Sequence, residues 1–250
     1  MSRLPRYSGH AAKLLPIGWT VGLIAILWHL FVLRNMILLP EGITLSLGNT
    51  ASFIGLLLAL TAVIICIRPM LRGLASGLLF LAAFAAVLTG WTAVPPANTS
   101  VTWQIETHIL ISLLAYGLLT VGAIVAVYAL VQDQRLRAGK LSPVNDLFAP
   151  LETNESLLYG IAATGFIALL LAVFSGFVFV EDLFAQHLLH KTVLSLVALV
   201  LFGVLLAGRQ FAGWRGRRAV ALYLWGFATL GLAYFGSRYI LEQILGRTWT

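Results

Sequence analysis

Charge is what this chain most lacks. Asp, Glu, Lys and Arg together supply 10% of its 250 residues, where a soluble domain carries about a quarter. That shortage excludes an ordinary water-soluble fold. Cysteine is nearly absent too. The single Cys66 can form neither an internal disulfide nor a C-x-x-C redox pair, which excludes thiol shuttling and leaves it to pack as a small apolar side chain. A P-loop, a G-x-G-x-x-G fingerprint, an H-E-x-x-H pair and a Ser/His/Asp set are all missing, so no enzymatic chemistry is expected. No fixed-period repeat and no inverted halves of the transporter type are visible.

Hydrocarbon is abundant. The chain is 60% hydrophobic with a mean hydropathy of +0.96. A transmembrane helix needs about 20 largely apolar residues. Seven such runs, at 14–33, 46–67, 73–92, 107–131, 157–180, 191–208 and 219–237, predict an all-α polytopic membrane bundle, a single integral-membrane domain over 1–250. Alternating strands of about ten residues, the outer-membrane barrel signature, are absent. The first run is too long for a signal peptide and no A-x-A site follows it, so it is expected to be retained.

The net charge of +7 could suggest nucleic acid, but the placement of the charges argues for orientation instead, because Lys and Arg stay cytoplasmic. Arg3, Arg6, Lys13, Arg68, Arg72, Arg135, Arg137, Lys140, Arg209, Arg215, Arg217 and Arg218 fall on one side of the predicted bundle. Arg34, Lys191, Arg238 and Arg247 fall on the other. The N-terminus is therefore expected to be cytoplasmic and the C-terminus outside. The longest cytoplasmic loop is expected at 132–156, with Pro143 and Pro150. Gly73-x-x-x-Gly77, Ser175-Gly176 and Gly231/Gly236 are expected to let helices approach closely.

The outer side collects four of the five histidines, His29, His108, His187 and His190. Histidine is rare in hydrocarbon and is the commonest metal and haem ligand. His29 lies four residues inside the outer end of its helix, roughly 6 Å deep. It reads equally as a ligand or as a ring hydrogen-bonded to a neighbouring helix. His187 and His190 share a face if helical and either can oppose His108, although interfacial histidines wetted by water are the plainer reading for each. Zinc would recruit Glu106, Glu181 and Asp182 as well. Haem needs one or two axial imidazoles in an apolar slot with cations near its propionates. Arg34, Lys191 and Arg238 are candidates for those cations, against simple snorkelling. Trp28, Trp91, Trp103, Phe177, Phe179 and Phe184 read as an interfacial aromatic belt.

The run from His108 through Ser112, Ala115 and Tyr116-Gly117 resembles the cytochrome c assembly family (the CcsA/CcmC/HemX superfamily), whose members place a histidine eight residues before a tyrosine at the outer start of a helix. Gly165-Phe166 … Ser175-Gly176-Phe177-Val178 resembles that family's next helix. Trp214-Arg215-Gly216-Arg217-Arg218 … Leu232-Ala233-Tyr234-Phe235-Gly236-Ser237-Arg238 resembles its short YpjD-type branch. The resemblance covers residues 100–240 well and 14–92 loosely. It implies a multi-pass protein of the bacterial inner membrane that holds haem b at the outer face, with His108 as one axial ligand. Opposite it would stand His190 or His187, with His29 as an alternative. The iron of haem would be the only metal, and the partners would be the lipid bilayer and other cytochrome c assembly or transporter subunits. Two features depart from the CcsA type: the loop Glu181 to His190 contains no tryptophan, and Phe235-Gly236 stands where a second outer histidine would fall. A haem-free scaffold or accessory subunit of an ion transporter, and a bis-histidine b-type electron carrier, are the alternatives.

Overall fold

The computed structural model describes residues 8–39, 42–43, 47–87, 102–139, 150–179 and 189–236. Seven helices follow in chain order: α1 (Ser8–Ile37), α2 (Leu47–Ile65), α3 (Arg72–Val87), α4 (Trp103–Arg137), α5 (Leu151–Phe179), α6 (Leu189–Ala212) and α7 (Arg217–Gly231). Helices are what hydrocarbon demands, because each backbone N–H and C=O must find its partner within the segment. Six of them, α1 to α6, contain stretches long and apolar enough to cross a membrane. α7 has 15 residues and continues as a π-helical segment, Leu232–Gly236, so the seventh expected run is helical almost throughout. A two-residue antiparallel pair, β1 (Leu38–Leu39) with β2 (Gly42–Ile43), follows α1.

Several helices run past their hydropathy runs, although α2 falls short of its own. α4 starts four residues before the expected 107 and reaches Arg137, while α5 begins at Leu151 instead of 157. The expected loop at 132–156 is therefore helical at both ends, over 132–137 and 151–156, and Trp103 to Glu106 belong to α4 instead of the preceding outer loop. Local chemistry sets these ends. Arg137 pairs with Asp133 one turn earlier, at 3.0 Å, and Gly139, at φ +63°, supplies the left-handed turn that ends α4. Pro150 lies just ahead of α5, and its carbonyl accepts from the Thr153 and Asn154 amides at 2.9 and 3.2 Å.

The chain divides into two compact units, Met1–Thr99 with Val127–Leu157, and Ser100–Ala126 with Leu158–Thr250. In the first, α2 packs on α3 through Gly55, where a Cβ would lie 2.8 Å from that of Ala85. Gly77, singled out in the sequence, has open space around it, so the close approach between these two helices is made at Gly55 and not at Gly77. Leu33 and Ile37 of α1 bury against Leu56 of α2, flanked by Ile26 and Phe53. Cys66 is not merely apolar filler: the Trp19 indole donates to its sulfur at 3.0 Å, and its thiol donates to the Val63 carbonyl at 3.2 Å. Buried Asn154 donates to buried Gln132 at 2.7 Å, as polar side chains removed from water must.

In the second unit α4 runs antiparallel to both α5 and α7. Leu119 packs against Gly165, and Gly122 faces Ile161 and Tyr223. Fully buried Tyr223 donates its hydroxyl to the Leu119 carbonyl at 3.0 Å and meets Phe202 edge-on, with ring centroids 5.1 Å apart at 76°. Such a pair adds about 0.5–1.5 kcal/mol beyond area burial. Gly231 has open space and Gly236 touches only its own helix, so neither serves close packing; Gly165 and Gly122 do.

Candidate functional site

Antiparallel connection places the start of α4, the end of α5, the start of α6 and the end of α7 at one end of the second unit. His108 lies in the second turn of α4, half-buried. Its Nδ1 is 2.9 Å from the Ser175 hydroxyl oxygen on α5. Ser175 is itself buried and donates its hydroxyl hydrogen to the Ala172 carbonyl at 2.9 Å. With its one hydrogen committed there, the Ser175 oxygen is left to accept from the imidazole. That contact assigns the proton to Nδ1 and the lone pair to Nε2.

Gly176 completes the seat. A Cβ at this position would stand 3.1 Å from His108 Cε1, tight enough to push the ring. The adjacent Ser-Gly pair thus does two things: serine holds one nitrogen and glycine leaves the ring room. Above it, Trp103 and Phe179 meet at 6.2 Å, joining the start of α4 to the end of α5. Trp103 is 67% exposed, as an interfacial aromatic belt would have it.

On the neighbouring helices, Lys191 in the first turn of α6 holds its ammonium 5.6 Å from the centre of the Tyr234 ring, a cation–π distance. Tyr234 in turn stacks at 5.3 Å on Tyr116, whose hydroxyl donates to the Leu230 carbonyl at 3.3 Å. Leu230 lies two residues before the π-helical segment, where a widened turn disturbs the regular hydrogen-bond ladder. Tyr116 therefore braces the point where α7 changes its winding.

The other expected ligands are distributed differently. His190 is exposed in the first turn of α6, and among the described residues it makes no hydrogen bond to His108. His29 belongs to the first unit, where its Nε2 is 2.7 Å from the Ser52 hydroxyl of α2, the hydrogen-bonded arrangement weighed from the sequence. Arg34 is exposed in the last turn of α1, also in the first unit. His187 and Arg238 lie outside the described residues, as do Glu181 and Asp182. Among the described residues no three His, Cys, Asp or Glu side chains gather as a metal group would require. Chemically, the assembled end offers one oriented imidazole with an available nitrogen, an apolar aromatic rim and a nearby cation. That donor set suits a flat apolar ligand carrying a Lewis-acidic iron and anionic edges.

Sequence reasoning named His108 and Lys191 as candidates but not the residues that contact them here, Ser175 and Gly176 at the histidine and Tyr234 at the lysine. A buried serine beside glycine in an otherwise apolar helix was the available signal.

The family described as "Cytochrome C assembly protein" matches the chain over residues 18–245. The inner membrane protein YpjD of Escherichia coli K12 is 33% identical over 229 residues, covering 89% of this chain and 85% of that protein. An uncharacterized 28.8 kDa protein of Azospirillum brasilense is 30% identical over 145 residues, 57% of this chain and 53% of the relative. No solved structure gives a significant match.

Proposed function

The chain belongs to the cytochrome c assembly protein family, and from that premise we propose that it is a haem-binding, haem-handling protein of the bacterial inner membrane. It holds haem b at the outer face, with His108 as an axial ligand through Nε2. The observation that carries this reading is the Ser175 anchor on Nδ1, with the serine hydroxyl itself held by the Ala172 carbonyl. Metal-ligating histidines almost always donate their second ring nitrogen in this way, which fixes the tautomer and raises ligand basicity. Lys191 would face a propionate, and Trp103 and Phe179 would border the ring. Haem supplies the iron chemistry; the chain's own residues bind, orient and shield it. The role is therefore binding and handling, not catalysis of a reaction of its own.

The opposing ligand is assigned to His190 or His187, with His29 as the alternative. His190 is exposed in the first turn of α6. The test is the absorption spectrum of full-length protein purified from haem-replete cells. A Soret band is expected, lost in His108→Ala and weakened in His190→Ala or His187→Ala. Absence of a Soret band from the unaltered protein would refute the proposal and leave a haem-free scaffold or transporter subunit.

A further inference from the structure

The end of α6 opposite His190 carries a feature that haem does not use. α6 has 24 residues, about 36 Å of rise, so its two ends reach opposite membrane surfaces. At the far end the chain turns into α7 through Gly213 and Gly216, both at φ +62°. The turn is tightly held. The Trp214 amide donates to the Gly208 carbonyl at 3.1 Å, and the indole lies where a Gly208 side chain would be. Tyr159 donates to the Trp214 carbonyl at 2.7 Å. Arg209 stacks over the Tyr159 ring at 4.8 Å and reaches the same carbonyl at 3.4 Å.

Arg209 is thus consumed in building the turn, while Arg215, Arg217 and Arg218 are exposed on it. Arg215 and Arg218 have no hydrogen-bond or ion-pair partner among the described residues. No Asp or Glu occurs between Asp182 and Glu242. On the last turn of α6, Phe211 is 88% exposed. Exposed arginines and an exposed aromatic ring, close in sequence on a turn at the end of a membrane-spanning helix, match an anionic headgroup and an acyl chain.

We propose that the α6–α7 turn is a binding site for anionic phospholipid, with Arg215, Arg217 and Arg218 on the headgroup phosphate and Phe211 against the acyl chain. Arginine suits this role because its planar fork binds phosphate oxygens bidentately. A free phosphate would satisfy the arginines but leave Phe211 without a partner, which favours the lipid. This assignment is independent of haem.

Native mass spectrometry of the detergent-solubilised full chain, titrated separately with phosphatidylglycerol and phosphatidylcholine, tests it. Basic residues at an anionic membrane surface each strengthen binding about fivefold, so phosphatidylglycerol is expected to bind on the order of tenfold to a hundredfold more tightly, and less so at higher salt. Arg215→Gln alone, which leaves most of that side's positive charge in place, is expected to lose several-fold of this preference. The triple change R215Q/R217Q/R218Q removes it, whereas R135Q/R137Q, distant in sequence, preserves it. Equal uptake of both lipids, an unchanged preference in the Arg215 variants, an equal loss in R135Q/R137Q, or displacement of phosphatidylglycerol by inorganic phosphate at matched concentration would each overturn the assignment.

Discussion

Replacing Ser175 with alanine removes the hydroxyl that accepts from His108 Nδ1 and donates to Ala172, two contacts of 2.9 Å each. A neutral hydrogen bond contributes about 0.5–1.5 kcal/mol net. The Ala172 carbonyl keeps its place in the helix ladder, so the loss of fold stability is expected to be about 1–2 kcal/mol, with the spans intact. The effect on haem is expected to be larger in proportion. Without the hydroxyl the ring can rotate and exchange tautomers, and Nε2 then carries the lone pair for only part of the time. Loss of an outer-shell partner typically weakens metal affinity ten- to a hundredfold. Haem titration of the apoprotein, followed by Soret absorbance, reads this directly, and near-ultraviolet circular dichroism reports whether the fold persists. A well-folded Ser175→Ala variant with unchanged haem affinity would refute the orienting role, even if His108 proved to be the ligand.

Other outcomes follow from the same geometry. Gly122→Ala drives a methyl group into the Tyr223 hydroxyl; overpacking of this kind costs about 1–3 kcal/mol, so thermal unfolding in detergent should shift down, and by less in a Tyr223→Phe background, where the clashing oxygen is gone. Asn154→Ala strips buried Gln132 of its 2.7 Å donor, which should destabilise the protein by about 1–3 kcal/mol without altering the Soret band. His29→Gln keeps a hydrogen-bonding group beside Ser52 and should leave haem content unchanged, in contrast to His108→Ala; loss of haem in both would make His29 the opposing ligand.

Six of the helices were legible as apolar runs because lipid leaves the chain no alternative, and the seventh was found although its described helix is short. Helix ends were less legible. Hydropathy marks where hydrocarbon is, whereas α4 and α5 continue into water on the Asp133–Arg137 pair and the Pro150 carbonyl. Gly77 meets open space for a related reason: a G-x-x-x-G pair records small residues but not which way the helix is rotated, and it is Gly55 that faces Ala82 and Ala85, while Gly176 does sit in close contact with His108. His108 could be picked out because an imidazole in an apolar span is conspicuous. Its partner Ser175 lies 67 positions away on another helix, and a serine in a membrane span more often bonds only its own backbone. That it does both at once depends on helix register, which no local pattern reveals.

Chemical rescue of a cavity variant probes the axial bond itself. His108→Gly removes the proposed ligand but leaves the space its ring occupied against Gly176. Adding free imidazole to this variant, reconstituted with haem, should restore the Soret position of the unaltered protein in a saturable manner. A variant whose spectrum matches the unaltered protein before any imidazole is added would contradict ligation by His108.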